Sequence, residues 1–457
     1  MRPELIRTAA PRPAPHHQYL PIPRAPQGAS TLYDGEPENC RRNYLWFLRI
    51  WAHLGLLLAV FHVYHVEGRA FRLLVAIALG ALPIHYLLHY RWKKPFCVAT
   101  SAAGLCWVLG PAVSGLLILL AAAFIAICFL PIAWAARAGM VAALAAALAL
   151  ARVQITGTVP DCVWPMLASM LMFRMILYLY ELKHSQKPES LIDALCYFFL
   201  LPNFCFVHFP VVDYRTLCRG YFAQEIHATQ RGGLRMMFRG LTHLLLYRVV
   251  YHKLLIAPAE VHSAATLAAY LVCNYLLYLR VSGQFHMACG MLHLFGFELP
   301  ETHHHYLLAT SFTDYWRRIN IYWKDFMLRI VFNPVAFRLK RWPEAVKLAC
   351  ATLTVFVVTW ALHAYQSFWL RASWVLSLPD ALFWGILGVL VMVNVQLEAR
   401  APRGRARREV DWTARGLAVR AAKTVATFLT LALLWSLWSS PSVAAWAGML
   451  KRGLVGF

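Results

Sequence analysis

Charge is the first thing this chain is short of. Of its 457 residues only 14% are Asp, Glu, Lys or Arg, against about 25% in ordinary soluble domains. With 60% hydrophobic residues and a mean hydropathy of +0.53, the sequence excludes a soluble globular domain and reads as an integral membrane protein. Acidic residues are scarcer still, 21 against 44 basic, for a net charge of +23. The basic residues stand between apolar runs, where anionic headgroups and the positive-inside rule account for them. With no RNA-binding motif or zinc finger present, nucleic acid is not an expected partner. None of the eleven cysteines forms a Cys-x-x-Cys pair. Most lie in apolar runs (Cys106, Cys128, Cys196, Cys273, Cys350), which argues against a disulfide scaffold or a zinc site. There is no Gly-rich phosphate loop, no Gly-x-Ser-x-Gly elbow and no internal repeat.

What is present is a series of apolar runs. Residues 1–44 are Pro-rich, polar and basic, a disordered arm and not a leader peptide; Arg41 and Arg42 place it in the cytosol. Spans are expected over 45–66, 70–90, three helices within 96–156 broken near Pro111 and Arg137, and 162–182. Residues 190–211 contain Pro202, Asn203, His208 and Pro210, a pattern for a bent or re-entrant segment. The stretch from Arg215 to Arg239 reads as a basic amphipathic helix on headgroups, with recognition of a phosphate-bearing donor as the functional alternative. Spans over 241–257 and 263–281 precede an irregular segment, 282–300, in which glycines and polar residues break the apolar period. Residues 345–370, 380–398 and 421–439 complete an all-α polytopic fold of about eleven crossings and re-entrant segments around a central cavity, occupying 45–457.

Chemistry concentrates in 312–363. Phe312 to Phe326 packs aromatic rings, charges and Asn320 into fifteen residues; His363 stands alone in an apolar helix. An ionisable group in hydrocarbon is costly and tends to be functional, although a lone buried histidine is more often a satisfied core residue. Histidine suits general-base work near neutral pH, and an amide can orient it or donate to an oxyanion. Arg317 and Arg318 could grip an anionic donor or simply pair with Asp314 and Asp325 at helical spacing. Trp316, Tyr322 and Trp323 read as interfacial rings. His85 and His89, at i, i+4, and His303 to His305 are weaker metal candidates.

Asp314-Tyr-Trp-Arg-Arg-Ile-Asn320 resembles the Asp-[Phe/Tyr]-Trp-Arg-Arg-Trp-His signature of the membrane-bound O-acyltransferase superfamily. Trp323-Lys-Asp-Phe326, Gly290 to Pro300, and Leu362-His363-Ala364 with Phe368-Trp369 resemble its other motifs, in the family's order, over about 170–400. The branch most similar contains alginate O-acetyltransferase and the D-alanyl transferase of teichoic acids. The resemblance implies His363 as catalytic base and Asn320 as the second site residue. It also implies a donor site using Asp314, Trp316, Arg317, Arg318 and Lys324, and no resident cofactor. The reaction would move an acyl group, acetyl by analogy, from acyl-CoA or another thioester to a hydroxyl of a polysaccharide, a lipid or another acceptor such as a protein. Ala-, Arg- and Trp-rich usage in a compact chain suggests a bacterial inner membrane, with an export or periplasmic protein as a candidate partner. The sequence departs from the pattern at Ala364, a glycine in the family, at Asn320, a histidine in the nearest branch, and near Gln284 or His286, where an acidic residue is usual. A channel or transporter for an anionic lipid or glycan, with His363 as gate or relay, is the alternative, and a scaffold subunit of an export complex a third.

Overall fold

Without water, backbone N–H and C=O groups must bond within their own segment, so apolar runs of this length fold as helices. The structure is a computed structural model that describes residues 37–154, 159–167, 173–184, 190–200, 212–400 and 412–456. Most of the N-terminal arm, the Pro202–Pro210 segment and the loop carrying Arg403, Arg405, Arg407 and Arg408 lie outside the described residues.

The helices are α1 Tyr44–Val63, α2 Arg69–Leu87, α3 Tyr90–Leu109, α4 Pro111–Phe129, α5 Trp134–Gln154, α6 Phe173–His184, α7 Leu191–Phe199, α8 Tyr214–Gly220 and α9 Ile226–Val249. They continue with α10 Ala264–Leu276, α11 Leu279–Leu294, α12 Phe312–Arg318, α13 Ile321–Met327, α14 Glu344–Arg371, α15 Leu378–Arg400, α16 Ala414–Trp438 and α17 Val443–Val455. Among the described residues the only β pairing is one bridge between Tyr221 and Phe297. Among the described residues, eight segments are long and apolar enough to cross a membrane: α1, α2, α4, α5, α10 with α11, α14, α15 and α16. They leave large apolar side chains exposed, Leu45 at 75% and Leu119 at 66% among them. Surface of that kind suits lipid and not water, so the architecture is that of an integral membrane protein.

The three helices expected within 96–156 are α3 to α5, the first break falling at Gly110-Pro111 and the second at Leu130–Ala133, ahead of Arg137. The segment 282–300 departs from expectation. Its first half is not irregular: Ser282 to Leu294 lies within α11. Nor do Arg215–Arg239 and 241–257 form separate units, because α9 runs through residue 240 unbroken. The reason is the partner. A Cβ built on Gly240 would fall 2.7 Å from the carbonyl oxygen of Gly283, and one on Gly290 would fall 2.6 Å from that of Gly233. Glycines seven residues apart on each antiparallel helix thus bring two backbones into contact. In lipid such packing, and not exclusion of water, drives helix association.

Buried side chains form two principal bodies. One gathers α1 to α5, α7 to α9 and α11; the other gathers the Phe312–Val331 region with α14, α15 and α16 and holds both His363 and Asn320.

Candidate functional site

Ser311 caps α12 by accepting from the Asp314 N–H at 3.1 Å. Asp314 in turn accepts from the Thr310 N–H (3.0 Å) and from Arg318 Nε (2.6 Å). The chain then reverses. Asn320 sits in the left-handed region, φ 37°, and its Oδ1 accepts from the Trp323 N–H at 3.4 Å, capping α13. Asn, Asp and His are the non-glycine residues most tolerant of that backbone. The neighbouring loop braces the turn: His304 donates its N–H to the Arg318 carbonyl (2.9 Å) and Ile321 donates to that of Thr302 (2.8 Å).

His363 lies half-buried on α14 inside a ring of indoles. Its imidazole stacks on Trp384 of α15 (centroids 4.8 Å, 28°), meets the edge of Trp438 of α16 (5.9 Å, 84°) and faces Trp323 of α13 at 6.1 Å. Trp438 is anchored by donating Nε1–H to Asp380 Oδ1 at 2.5 Å. Trp323 therefore touches both residues singled out in the sequence, its backbone bonded to Asn320 and its ring facing His363. Ala364 is buried, its methyl accommodated where the resembled family has glycine.

The proposed donor-binding residues are engaged within the protein. Arg318 pairs with Asp314 and Arg317 with Glu398 across 81 residues, both at 2.6 Å. Lys324 pairs with Asp325 at 2.9 Å, and Trp316 packs on Phe356 with centroids 4.7 Å apart. His85 and His89 are not on one helix face: His85 is buried in α2 against Phe295, while His89 caps α3. No group of three His, Cys, Asp or Glu side chains able to hold a metal ion occurs among the described residues.

Sequence reasoning missed a second cluster. His243 of α9, His286 of α11 and His303 of the following loop stand ring to ring, 5.4 and 5.8 Å apart. His303 bonds Tyr278 OH (2.9 Å) and Thr302 Oγ1 (3.1 Å), and His243 Nδ1 bonds Ser282 Oγ (2.9 Å). Both ring nitrogens of His286 are buried with no hydrogen-bond partner among the described residues. The signal was Gln284 or His286 near where the resembled family has an acidic residue; the partners of His286, 43 residues before it and 17 after it, were not legible.

Nor was a cavity of about 300 Å³ between the end of α6, the start of α8 and residues 328–332. Comparison of the chain with protein-family models and with curated proteins found no match to either.

Proposed function

We propose that the chain is a membrane-embedded O-acyltransferase that moves an acyl group, acetyl by resemblance, from a thioester such as acyl-CoA to a hydroxyl of a polysaccharide or lipid. The observation that supports this reading is Trp323, whose backbone N–H bonds the Asn320 side chain and whose ring faces His363, although the two are far apart in sequence. In the proposed reaction His363 takes the proton of the acceptor hydroxyl. The alkoxide oxygen bonds to the thioester carbonyl carbon, and the carbonyl electrons move onto oxygen. When the tetrahedral intermediate collapses, the carbon–sulfur bond breaks and the thiolate recovers the proton from the imidazolium. The indole face of Trp384 favours that transient cation. Because the Asn320 carbonyl oxygen is occupied as a helix cap, its Nδ2 amide is the group left to donate to the oxyanion.

The finer placement belongs to the same proposal: about eleven crossings with re-entrant segments, in a bacterial inner membrane with the N-terminus cytosolic and a partner protein handling the acceptor. A channel or transporter for an anionic lipid or glycan is the second reading, favoured by the cluster of His243, His286 and His303 as a candidate relay. Purified protein incubated with labelled acetyl-CoA and longer acyl-CoAs distinguishes them. Free thiol released by wild type and lost in His363→Ala supports the transferase; no thiol from any donor removes it.

A further inference from the structure

The cavity of about 300 Å³ is walled by three guanidinium groups, Arg215, Arg219 and Arg329, and two carboxylates, Glu181 and Asp213. The carboxylates are committed to the wall. Arg329 Nη1 donates to Glu181 Oε1 at 2.7 Å and lies 3.5 Å from Asp213 Oδ1. The other Glu181 oxygen accepts the Arg215 backbone N–H at 3.0 Å. Asp213 accepts from the Thr216 N–H (2.9 Å) and hydroxyl (2.7 Å).

The basic groups are not committed to the same degree. Arg215 spends one nitrogen on the His184 carbonyl at 3.3 Å and is otherwise exposed. Arg219 is exposed and makes no side-chain bond to any described residue. Three positive charges thus face two carboxylates, and those carboxylates hold the backbone of Arg215 and the side chain of Arg329 in place. Burial and the neighbouring Asp213 push the Glu181 carboxyl up to about 7, which shrinks the negative side further. Guanidinium geometry matches phosphate oxygens in pairs, and the volume admits such a group.

We infer that this cavity binds a phosphate group, carried on a lipid headgroup or on a soluble ligand. The site lies apart from the Asn320–His363 pair and does not depend on the acyl-transfer reading. Arg329 follows the motif helix α13 directly, so an occupant would sit against the segment that positions Asn320.

The test uses the full chain in dodecyl maltoside, a detergent without phosphate, and measures binding by calorimetry. One arm titrates inorganic pyrophosphate, the other phosphatidylglycerol in mixed micelles. Saturable binding in either arm, weakened tenfold or more by Arg219→Gln and by Arg215→Gln but unchanged by Arg235→Gln on α9, is expected, and the responding arm identifies the source. Binding in neither arm, or equal binding by wild type and both cavity variants, overturns the proposal.

Discussion

His363 and His286 are both imidazoles on apolar helices, and the protein treats them in opposite ways. His363 is half-buried among three indoles. His286 is 1% exposed, faces two further histidines and has neither ring nitrogen bonded to a described residue. A base that works on a bound hydroxyl has to meet it at hydrogen-bond distance. On the proposed reaction, its partial exposure makes His363 the candidate base, whereas His286 is buried with its neighbours. The contrast also separates two ways of keeping a titratable side chain in a membrane: wrapping it in polarisable rings, or pooling it with its own kind.

Breaking the first environment should have the largest effect. His363→Ala should lower thiol release from an acyl-CoA on the order of 10³-fold, the scale of a general base, with detergent-solubilised yield unchanged. His286→Ala should leave turnover within a few-fold and instead lower the thermal midpoint; loss of turnover there equal to that of His363→Ala would invert the assignment. Asn320 comes next, because it has two separable duties. Asn320→Asp keeps an oxygen to cap α13 and tolerates the left-handed backbone, yet loses the amide donor, so turnover should fall about 10²–10³-fold at constant thermal midpoint. Asn320→Ala should add a stability loss of about 1 kcal/mol from the missing cap.

Smaller and purely structural is Gly290→Ala. Its Cβ would meet Met237 Cγ at 2.5 Å and the Gly233 carbonyl oxygen at 2.6 Å, so unfolding should become easier by about 1–3 kcal/mol. The smallest effect concerns Glu181. Burial, then Asp213, raises its carboxyl to about 7, whereas Asp213 is held below its usual range because Arg329 and the Thr216 bonds outweigh burial. A carboxyl raised on folding binds its proton more tightly in the native chain. Its stabilising contribution is present in mild acid and is lost as pH rises through about 7. The groups facing it are Asp213, Arg329 and the Arg215 N–H. Glu181→Gln should flatten the decline in thermal midpoint expected of wild type between about pH 5 and 7; an unchanged slope would place that titration elsewhere.

Much of the helical skeleton was legible because helix length and apolar period are local. Residues 345–370 were read for α14, observed as Glu344–Arg371, and the Gly110-Pro111 break follows from backbone chemistry. What stayed hidden depends on partners. The glycines of α11 look like helix breakers until Gly233 and Gly240 are seen opposite them. Arg317 looked available until Glu398 arrived from another helix, and Arg215 and Arg329 lie 114 residues apart yet wall one cavity. The motif pattern at Asn320 has a backbone explanation beside any chemical one: a turn at φ 37° admits few side chains besides Asn, Asp and His.

The glycine contacts between α9 and α11 carry a mechanical consequence. Sliding one helix by a single residue, a rise of about 1.5 Å, would replace a hydrogen atom at each crossing with a side chain. The two rods are thereby pinned in register and travel together as one beam. On the proposed function, the breathing that admits an acyl chain would fall to the α14–α15 flank, where contacts such as Gly388 on Phe356 and His363 on Trp384 would have to give. Selectivity for chain length would then be set by how far that flank yields, with the beam as its fixed reference.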